Sequence, residues 1–174
     1  MALINTTTTG VLGSTFYGDG SGNLTVQQNG VTLGVFGNQP AFNAYKSGSV
    51  QTISNSTTTK ITFESEEFDT NNNFASSRFT PTVAGYYQTN WLINISSGSG
   101  SYEWVSYLRK NGTTYKTGLD AGSLQYGIGG SALVYLNGTT DYIEIWSFQG
   151  SGGNKDILAY QNGTWFDGIL VKAA

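Results

Sequence analysis

Apolar and polar side chains alternate with a period of two along several stretches of the chain, most clearly between residues 86 and 95. The even positions of this stretch are polar apart from Tyr86 and Leu92. The odd positions are mostly apolar: Tyr87, Thr89, Trp91, Ile93 and Ile95. Such alternation is typical of a strand with one face in a core, whereas no window of about 11 residues keeps helical spacing without Gly or Asn. The pattern therefore predicts strands and no helix.

Turn signals separate the predicted strands. Asn111-Gly112, a dipeptide typical of a type I′ turn, joins a strand over 102–108 to a return strand through Tyr115. A second pair, Asn137-Gly138, joins the runs 132–136 and 142–148, which predicts a further hairpin. The run 165–171 closes the chain after Asn162-Gly163. Short strands separated by frequent turns predict an all-β antiparallel sandwich or barrel.

The first 38 residues carry only three short strand-like runs, over 15–17, 24–26 and 31–36. Hairpins of this size cannot bury enough apolar surface to be stable alone. We therefore expect residues 1–38 to form an arm that sister subunits or a larger assembly hold in place. Residues 39–174 form the globular domain, with Pro40 at the boundary. The apolar residues expected to attach the arm are Leu12, Phe16, Tyr17, Leu24, Val26, Val35 and Phe36.

The composition excludes several kinds of catalysis. The chain of 174 residues contains no Cys and no His, which excludes thiolate nucleophiles, Ser-His-Asp relays and ordinary zinc enzymes. Aromatic residues make up 14% of the chain, a content that disordered proteins lack. We therefore expect a folded protein without enzymatic activity.

Charge and hydropathy narrow the choice of partners. The net charge is −3 and the eight Lys and Arg residues are scattered, which argues against binding to a nucleic acid backbone. No apolar run approaches the roughly 18 residues of a membrane span. The start, Met1-Ala2-Leu3-Ile4, has neither the basic nor the apolar region of a secretory signal, so we expect synthesis in the cytoplasm.

The densest acidic cluster comprises Glu64, Glu66, Glu67 and Asp69. Paired carboxylates could serve a glycosidase, and several carboxylate oxygens could bind calcium. A solvated edge strand whose charges prevent mispairing is the favoured interpretation. The segment 19–23 resembles half of an EF-hand loop but lacks the closing acidic residue, so a tight turn is favoured there. We expect no cofactor, and calcium is the alternative.

Exposed aromatic rings offer a second kind of site, because such rings stack on sugar faces. The spacing of most of these rings is also what a sandwich core requires. Loop positions are the better surface candidates, since loops carry recognition on rigid sandwiches. The loop candidates for ligand binding are Tyr102, Tyr126 and Tyr160, and the ambiguous aromatic residues are Trp104, Trp146, Phe148 and Trp165.

Aromatic, Gly and Asp residues recur at a characteristic spacing from residue 63 onward, at Phe63, Asp69, Phe74, Phe79, Gly85, Tyr87 and Trp91. This spacing resembles the signature of the complement C1q globular-head family, part of the larger C1q/TNF-like group. The ending Phe166-Asp167-Gly168-Ile169-Leu170 resembles that family's closing strand. The chain departs from the family at Thr89, where Phe is usual, and by a shorter spacing between Phe74 and Phe79.

The resemblance implies a ten-stranded jelly roll that trimerises around a three-fold axis, with Phe166 pointing toward the axis. The residues give a separate reason to expect association. The even face of the 86–95 strand is too apolar for solvent and too polar for a sealed core, which suits a subunit interface. Its members are Tyr86, Gln88, Asn90 and Leu92. A partly exposed sheet face is the alternative.

Residues 10–26 resemble the N-terminal segments of tailed-phage virion proteins that carry C1q-like tips. This resemblance implies a structural protein on the virion surface, made in the bacterial cytoplasm. The favoured function is a homotrimeric capsid decoration, or cement, protein whose arm attaches to the major capsid protein. The alternative is a short tail or head fibre whose jelly roll binds a host surface glycan.

Overall fold

The computed structural model describes residues 15–18, 24–28, 31–36, 39–96, 103–121 and 127–174. Every regular element in these ranges is a β-strand. The chain divides into two compact units between Gln39 and Pro40. The attachment role of residues 1–38 stays a prediction.

The described residues of the first unit form three strands: β1 (Thr15–Gly18), β2 (Leu24–Gln28) and β3 (Val31–Phe36). They form an antiparallel sheet in chain order, in which Phe16 pairs with Val26. The predicted attachment residues Phe16, Tyr17, Leu24, Val26, Val35 and Phe36 belong to these strands. Leu12 lies outside the described residues.

The second unit packs a five-stranded sheet against a six-stranded sheet, and every pairing is antiparallel. The five-stranded sheet has the order β13-β10-β16-β4-β7; the other has the order β12-β11-β14-β9-β8, with β6 also paired to β14. A small sheet pairs β5 with β15. The predicted all-β antiparallel jelly roll is confirmed. The bounds of these strands are β4 (Ala41–Tyr45), β5 (Gln51–Ile53), β6 (Thr59–Lys60), β7 (Ser65–Asp69), β8 (Phe74–Ala75), β9 (Arg78–Phe79), β10 (Gly85–Asn94), β11 (Trp104–Lys110), β12 (Thr113–Ala121), β13 (Gly127–Leu136), β14 (Ile143–Gln149), β15 (Lys155–Ile157) and β16 (Trp165–Ala173).

The core lies between the two large sheets and is rich in aromatic rings. Phe42 on β4 stacks on Phe79 of β9 with ring centroids 4.3 Å apart. The Trp91 indole N–H of β10 donates a hydrogen bond of 3.0 Å to the Ser106 hydroxyl of β11, which links the sheets. A side chain at Gly168 would have no room, because a Cβ atom there would lie 2.7 Å from the Phe42 ring. The aromatic positions of the C1q-like signature therefore build the core: Phe63, Phe74, Phe79, Tyr87 and Trp91.

The first predicted hairpin is present, and the second is wrong. Asn111 and Gly112 have φ of 51° and 80° in the turn between β11 and β12, the left-handed values that a type I′ turn requires. β13 and β14, by contrast, belong to different sheets. The Asn137 side chain accepts the N–H groups of residues 139–141 and turns the chain across the edge of the sandwich. Because the chain crosses from one sheet to the other here, apolar residues of both β13 and β14 are buried in the core that the two sheets share.

The expectation that Phe166 faces a three-fold axis is wrong. Its side chain is fully buried within a single chain. The ring contacts Phe42 edge-on at 4.9 Å and lies 5.9 Å from the Phe63 ring. The reason is the period of β16: Phe166, Gly168 and Leu170 point inward, while the residues between them point outward. Phe166 therefore stabilises the protomer and presents no surface to another subunit.

Candidate functional site

The outer face of the five-stranded sheet carries the four residues predicted for an interface. On β10 the side chains of Tyr86, Gln88, Asn90 and Leu92 alternate with buried neighbours. Strand pairing places Tyr86 beside Tyr135, and Gln88 beside Leu133 of β13. The period-two prediction of their common face is therefore correct, and their role in a trimer stays a prediction.

Large apolar side chains are concentrated on this outer face. Leu133 and Ile169 are each about half exposed and lie on either side of Gln88 in the sheet. The Tyr86 and Tyr135 rings contact each other with centroids 5.4 Å apart. Apolar groups collected in one patch indicate an interaction surface, whereas scattered ones do not. The patch is defined by Phe68, Tyr86, Leu133, Tyr135, Ile169 and Val171.

A row of hydrogen-bonded polar groups crosses this apolar patch. Gln88 donates from Nε2 to the Ser131 hydroxyl (2.7 Å), which donates to Asn90 Oδ1 (2.9 Å). Asn90 Nδ2 then donates to Asp167 Oδ1 at 2.9 Å. The row spans β13, β10 and β16, so it ties these three neighbouring strands together on their outer side. Amides that are already paired suit a surface that is to be covered.

Asp167 ends this row, and its carboxylate is partly buried on the outer face of the sheet. Burial raises the pKa of Asp167, and the hydrogen bonds from Asn90 lower it by less. The folded chain therefore holds a proton on this carboxyl more tightly than the unfolded chain does. The protonated carboxyl of Asp167 therefore stabilises the folded chain fully at a pH below its ordinary pKa of 3.8. This stabilisation is lost as the pH rises through the raised pKa of the folded chain.

The variant Asp167→Asn should show the consequence of this shift. It keeps an oxygen that accepts from Asn90 and removes the charge. We expect a higher urea midpoint than the wild type at pH 7, with an advantage that shrinks as the pH falls toward 3.8. Asp120→Asn, at an exposed carboxylate on β12, is the matched control. A midpoint difference that does not change with pH would contradict the assignment.

A buried carboxylate organises the outer face of the other sheet. Ile143 and Ile145 of β14 point into the core, so Glu144 and Trp146 point away from it. Glu144 Oε1 accepts from Lys60 Nζ at 2.7 Å and from Arg78 Nε at 2.8 Å. Glu144 Oε2 accepts from the Trp146 indole at 3.1 Å. We call Glu144, Lys60, Arg78 and Trp146 the Glu144 cluster.

The Glu144 cluster keeps its carboxylate charged. The Glu144 side chain is 3% exposed, and this burial alone would raise its pKa. The hydrogen bonds from Lys60, Arg78 and Trp146 outweigh burial and lower the pKa below its ordinary value. Arg109, the strand partner of Glu144 on β11, lies with its guanidinium carbon 4.3 Å above the Trp146 ring and adds positive charge beside the cluster.

A surface cleft of about 500 Å³ opens next to the Glu144 cluster. Two members of the cluster, Lys60 and Arg78, form part of its wall. The Lys60 ammonium also donates to the Ser76 carbonyl at 2.9 Å, which fixes the wall in place. The remaining lining is polar apart from Ala75, and it consists of Asn72, Asn73, Ala75, Ser76, Thr80 and Thr82.

The acidic cluster of the sequence is divided between two structural roles. Glu64 contacts Lys46, a lysine that is 1% exposed, with 2.7 Å between Oε1 and Nζ. Burial alone would raise the pKa of Glu64, but hydrogen bonds from Lys46, Thr62 and Ser47 outweigh it and lower the pKa. Glu66 and Glu67 are exposed on the edge strand β7, as a solvated edge requires.

Calcium gains no ligand set from these residues. Asp69 accepts the N–H groups of Asn71 and Phe74 and so closes a turn. Within the ranges that the structure describes, no group of three or more acidic residues is close enough to hold a metal ion. The EF-hand-like segment 19–23 lies outside those ranges. Calcium therefore stays an untested alternative.

The aromatic ligand candidates do not form one site in the described residues. Tyr160 is exposed at a turn, where its carbonyl accepts the N–H groups of Gly163 and Thr164. Tyr102 and Tyr126 lie outside the described residues. Trp104 is a core residue, with its indole N–H on the Ser147 hydroxyl at 2.9 Å. Phe148 and Trp165 are partly buried on the outer faces of their strands.

The Glu144 cluster was not predicted from the sequence, although one signal points to it. Glu144 occupies an outward position between the apolar residues Ile143 and Ile145, where a charge needs a partner. The partners Lys60 and Arg78 are 84 and 66 residues away in the chain. Only tertiary pairing brings them together.

Among the described residues, no helix is long and apolar enough to cross a membrane.

Solved structures with the same architecture place this jelly roll among known folds. The globular domain of zebrafish complement 1qA protein matches with a TM-score of 0.54 and 19% identity over 78% of this chain and 99% of that one. Eiger TNF from S. frugiperda matches with a TM-score of 0.57 and 10% identity over 78% of this chain and 94% of that one. The crystal structure of murine APRIL at pH 8.0 matches with a TM-score of 0.57 and 9% identity over 76% of this chain and 99% of that one.

No protein-family model matches the chain. No curated protein matches its sequence either. At these identities the structural matches establish the fold alone, which is a C1q/TNF-like jelly roll.

Proposed function

We propose that the protein is a homotrimeric capsid decoration protein of a tailed phage. Residues 1–38 attach it to the major capsid protein, and the jelly roll projects from the particle surface. It acts by shape and contacts, without an enzymatic step. Its place is the outer surface of the virion, after synthesis in the bacterial cytoplasm.

The apolar patch with its central polar row carries the trimer part of the proposal. Six large apolar side chains share one sheet face, and the polar side chains among them are joined by hydrogen bonds. A covered surface gains from both features, because apolar area leaves water and the hydrogen bonds of the row stay within one protomer. The C1q/TNF-like fold supports three copies around one axis, as the sequence resemblance implies.

The division of the chain supports the attachment part. The first unit has strands of four, five and six residues, which is too little for a stable core by itself. Such a unit gains stability by docking on another surface. In a trimer, three weakly bound arms act together, so their combined affinity far exceeds that of one arm.

Removing residues 1–38 should separate attachment from trimer formation. We expect the truncated protein to keep the mass of a trimer by light scattering, because the apolar patch lies in the second unit. We expect it to lose binding to particles that lack the protein, measured by co-sedimentation against the full-length chain. Unchanged binding would overturn the arm proposal, and a monomer would overturn the location of the interface.

The second candidate function is a short tail or head fibre with a glycan-binding tip. The cleft beside the Glu144 cluster and the exposed Tyr160 favour it, because both offer groups that bind sugars. Imaging of intact particles distinguishes the two functions. Copies spread over the capsid shell support decoration, whereas copies confined to the tail support a fibre.

A further inference from the structure

The cleft beside the Glu144 cluster combines surplus positive charge with uncommitted polar groups. We propose that it binds a saccharide that carries a carboxylate, such as a uronic acid residue of an acidic polysaccharide. The carboxylate lies against Arg78 and Lys60, and the sugar hydroxyls contact the amide and hydroxyl side chains of the wall. This site goes beyond capsid decoration and does not depend on it.

The guanidinium of Arg78 is held in one orientation before any ligand arrives. Its Nε donates to Glu144 at 2.8 Å, and its central carbon lies 3.8 Å from the centre of the Tyr142 ring. Within the described residues, the hydrogen bonds of Arg78 use Nε alone. The two terminal nitrogens therefore remain for a ligand, and a guanidinium fork of this kind binds a carboxylate through two parallel hydrogen bonds.

The charge of the site matches a single anionic group. None of the described residues that line the cleft carries a carboxylate. Lys60 and Arg78 share the one charge of Glu144, which leaves one positive charge over. A nucleic acid would need a run of such charges, and the net charge of −3 opposes one. One carboxylate on an otherwise uncharged sugar fits better.

The wall of the cleft offers groups suited to sugar hydroxyls. The side chains of Asn72, Ser76 and Thr80 make no hydrogen bond within the part of the chain that the structure describes. Asn72 and Ser76 have φ of 52° each, a left-handed backbone that is uncommon for residues other than glycine. A volume of about 500 Å³ lies within the range of small-molecule sites.

The position of the cleft leaves it accessible in the proposed trimer. Its charged residues lie on β6, β9 and β14, all of the six-stranded sheet. The apolar patch lies on the outer face of the five-stranded sheet. Because the two sheets present opposite outer faces, association through the patch does not cover the cleft.

Titration of the full-length protein with trigalacturonate tests the site, with NMR detection. We expect saturable shifts of the Trp146 indole N–H and the Arg78 side-chain signals at millimolar ligand. Methyl-esterified trigalacturonate keeps the shape of the sugar and removes the charge, and inorganic phosphate supplies an anion without a sugar. Both should bind at least tenfold more weakly. Equal binding of the ester overturns the anion contact, and equal binding of phosphate overturns the sugar contacts.

Variants connect the binding to the side chains of the cleft. Arg78→Gln should weaken trigalacturonate binding by about 10- to 100-fold, the effect of losing charge-assisted hydrogen bonds. Arg78→Lys keeps the positive charge but lacks the guanidinium fork, so its affinity for trigalacturonate should lie between those of the wild type and Arg78→Gln. Lys116→Gln, on β12 and outside the cleft, is the matched control and should bind as the wild type does. If a variant fails to fold, the NMR titration of the wild-type protein with trigalacturonate still tests the site. The absence of chemical-shift changes at Arg78 and Trp146 would overturn the proposal.

Discussion

The variant Leu133→Asp is expected to sediment as a single protomer, whereas the proposed function predicts a trimer for the wild-type protein. Leu133 is 50% exposed on β13 and lies beside Gln88, within the apolar patch. Association would transfer the charge of this aspartate from water into an apolar interface. An unpaired buried charge costs about 3–5 kcal/mol. Each buried copy should therefore weaken assembly by roughly two to four decades.

Val50→Asp is the matched control for this experiment. Val50 is 51% exposed, almost the same fraction as Leu133, but it precedes β5 in a loop outside the patch. The control should sediment with the same mass as the wild-type protein at each protein concentration. A trimer that survives Leu133→Asp would contradict the use of this face, and a trimer lost in both variants would indicate an effect of charge that is not specific to the patch.

The variant Phe166→Ala is expected to lower the free energy of unfolding by about 3–5 kcal/mol, the range for removing a buried Phe ring. The Phe166 ring is fully buried and contacts Phe42 and Phe63. A domain has only about 5–15 kcal/mol to lose, so the variant should unfold at low urea. Urea titration followed by Trp fluorescence measures the change.

Two controls separate a core role of Phe166 from a role at an axis. Phe166→Leu keeps most of the apolar volume and should lose about 1.5 kcal/mol or less. The folded fraction of Phe166→Ala should keep the mass of the wild-type assembly, because the side chain lies inside the protomer. Titrations at several protein concentrations are needed, since assembly contributes to apparent stability. If Phe166→Ala lost the trimer but kept the free energy of unfolding of the wild-type protein, Phe166 would lie at the three-fold axis after all.

The strand pattern was predictable because it is a local property of the chain. Alternation between residues 86 and 95 placed Tyr86, Gln88, Asn90 and Leu92 on one face, and the structure agrees. The Asn111-Gly112 turn followed from backbone preferences of two residues. Each of these predictions needs only neighbouring positions, and period two follows from the geometry of one strand.

The predictions that failed required knowledge of distant pairing. The Asn137-Gly138 signal predicted a hairpin, but β13 pairs with β10 and β14 pairs with β11. A six-residue connection suits a hairpin loop and a crossing between sheets equally, and burial in the common core decides between them. Phe166 was placed by resemblance at the axis, whereas its own strand period turns it inward.

The charged sites were even less accessible from the sequence. Glu144 stands out as a charge in an apolar strand, but nothing near it in the chain identifies Lys60 or Arg78 as its partners. The same holds for Lys46, which is buried against Glu64 from another segment. Ion pairs between distant segments depend on how the sheets stack, and local patterns do not encode that.

The sequence alone determined the class of fold, the inward and outward positions of its best strands and the absence of Cys and His chemistry, because each depends on residue type or on near neighbours. The tertiary structure alone decided which strands share a sheet, that the apolar residues gather on one outer face, and that the cleft opens on the other. These features join residues far apart in the chain, and they are selected by the packing of a common core.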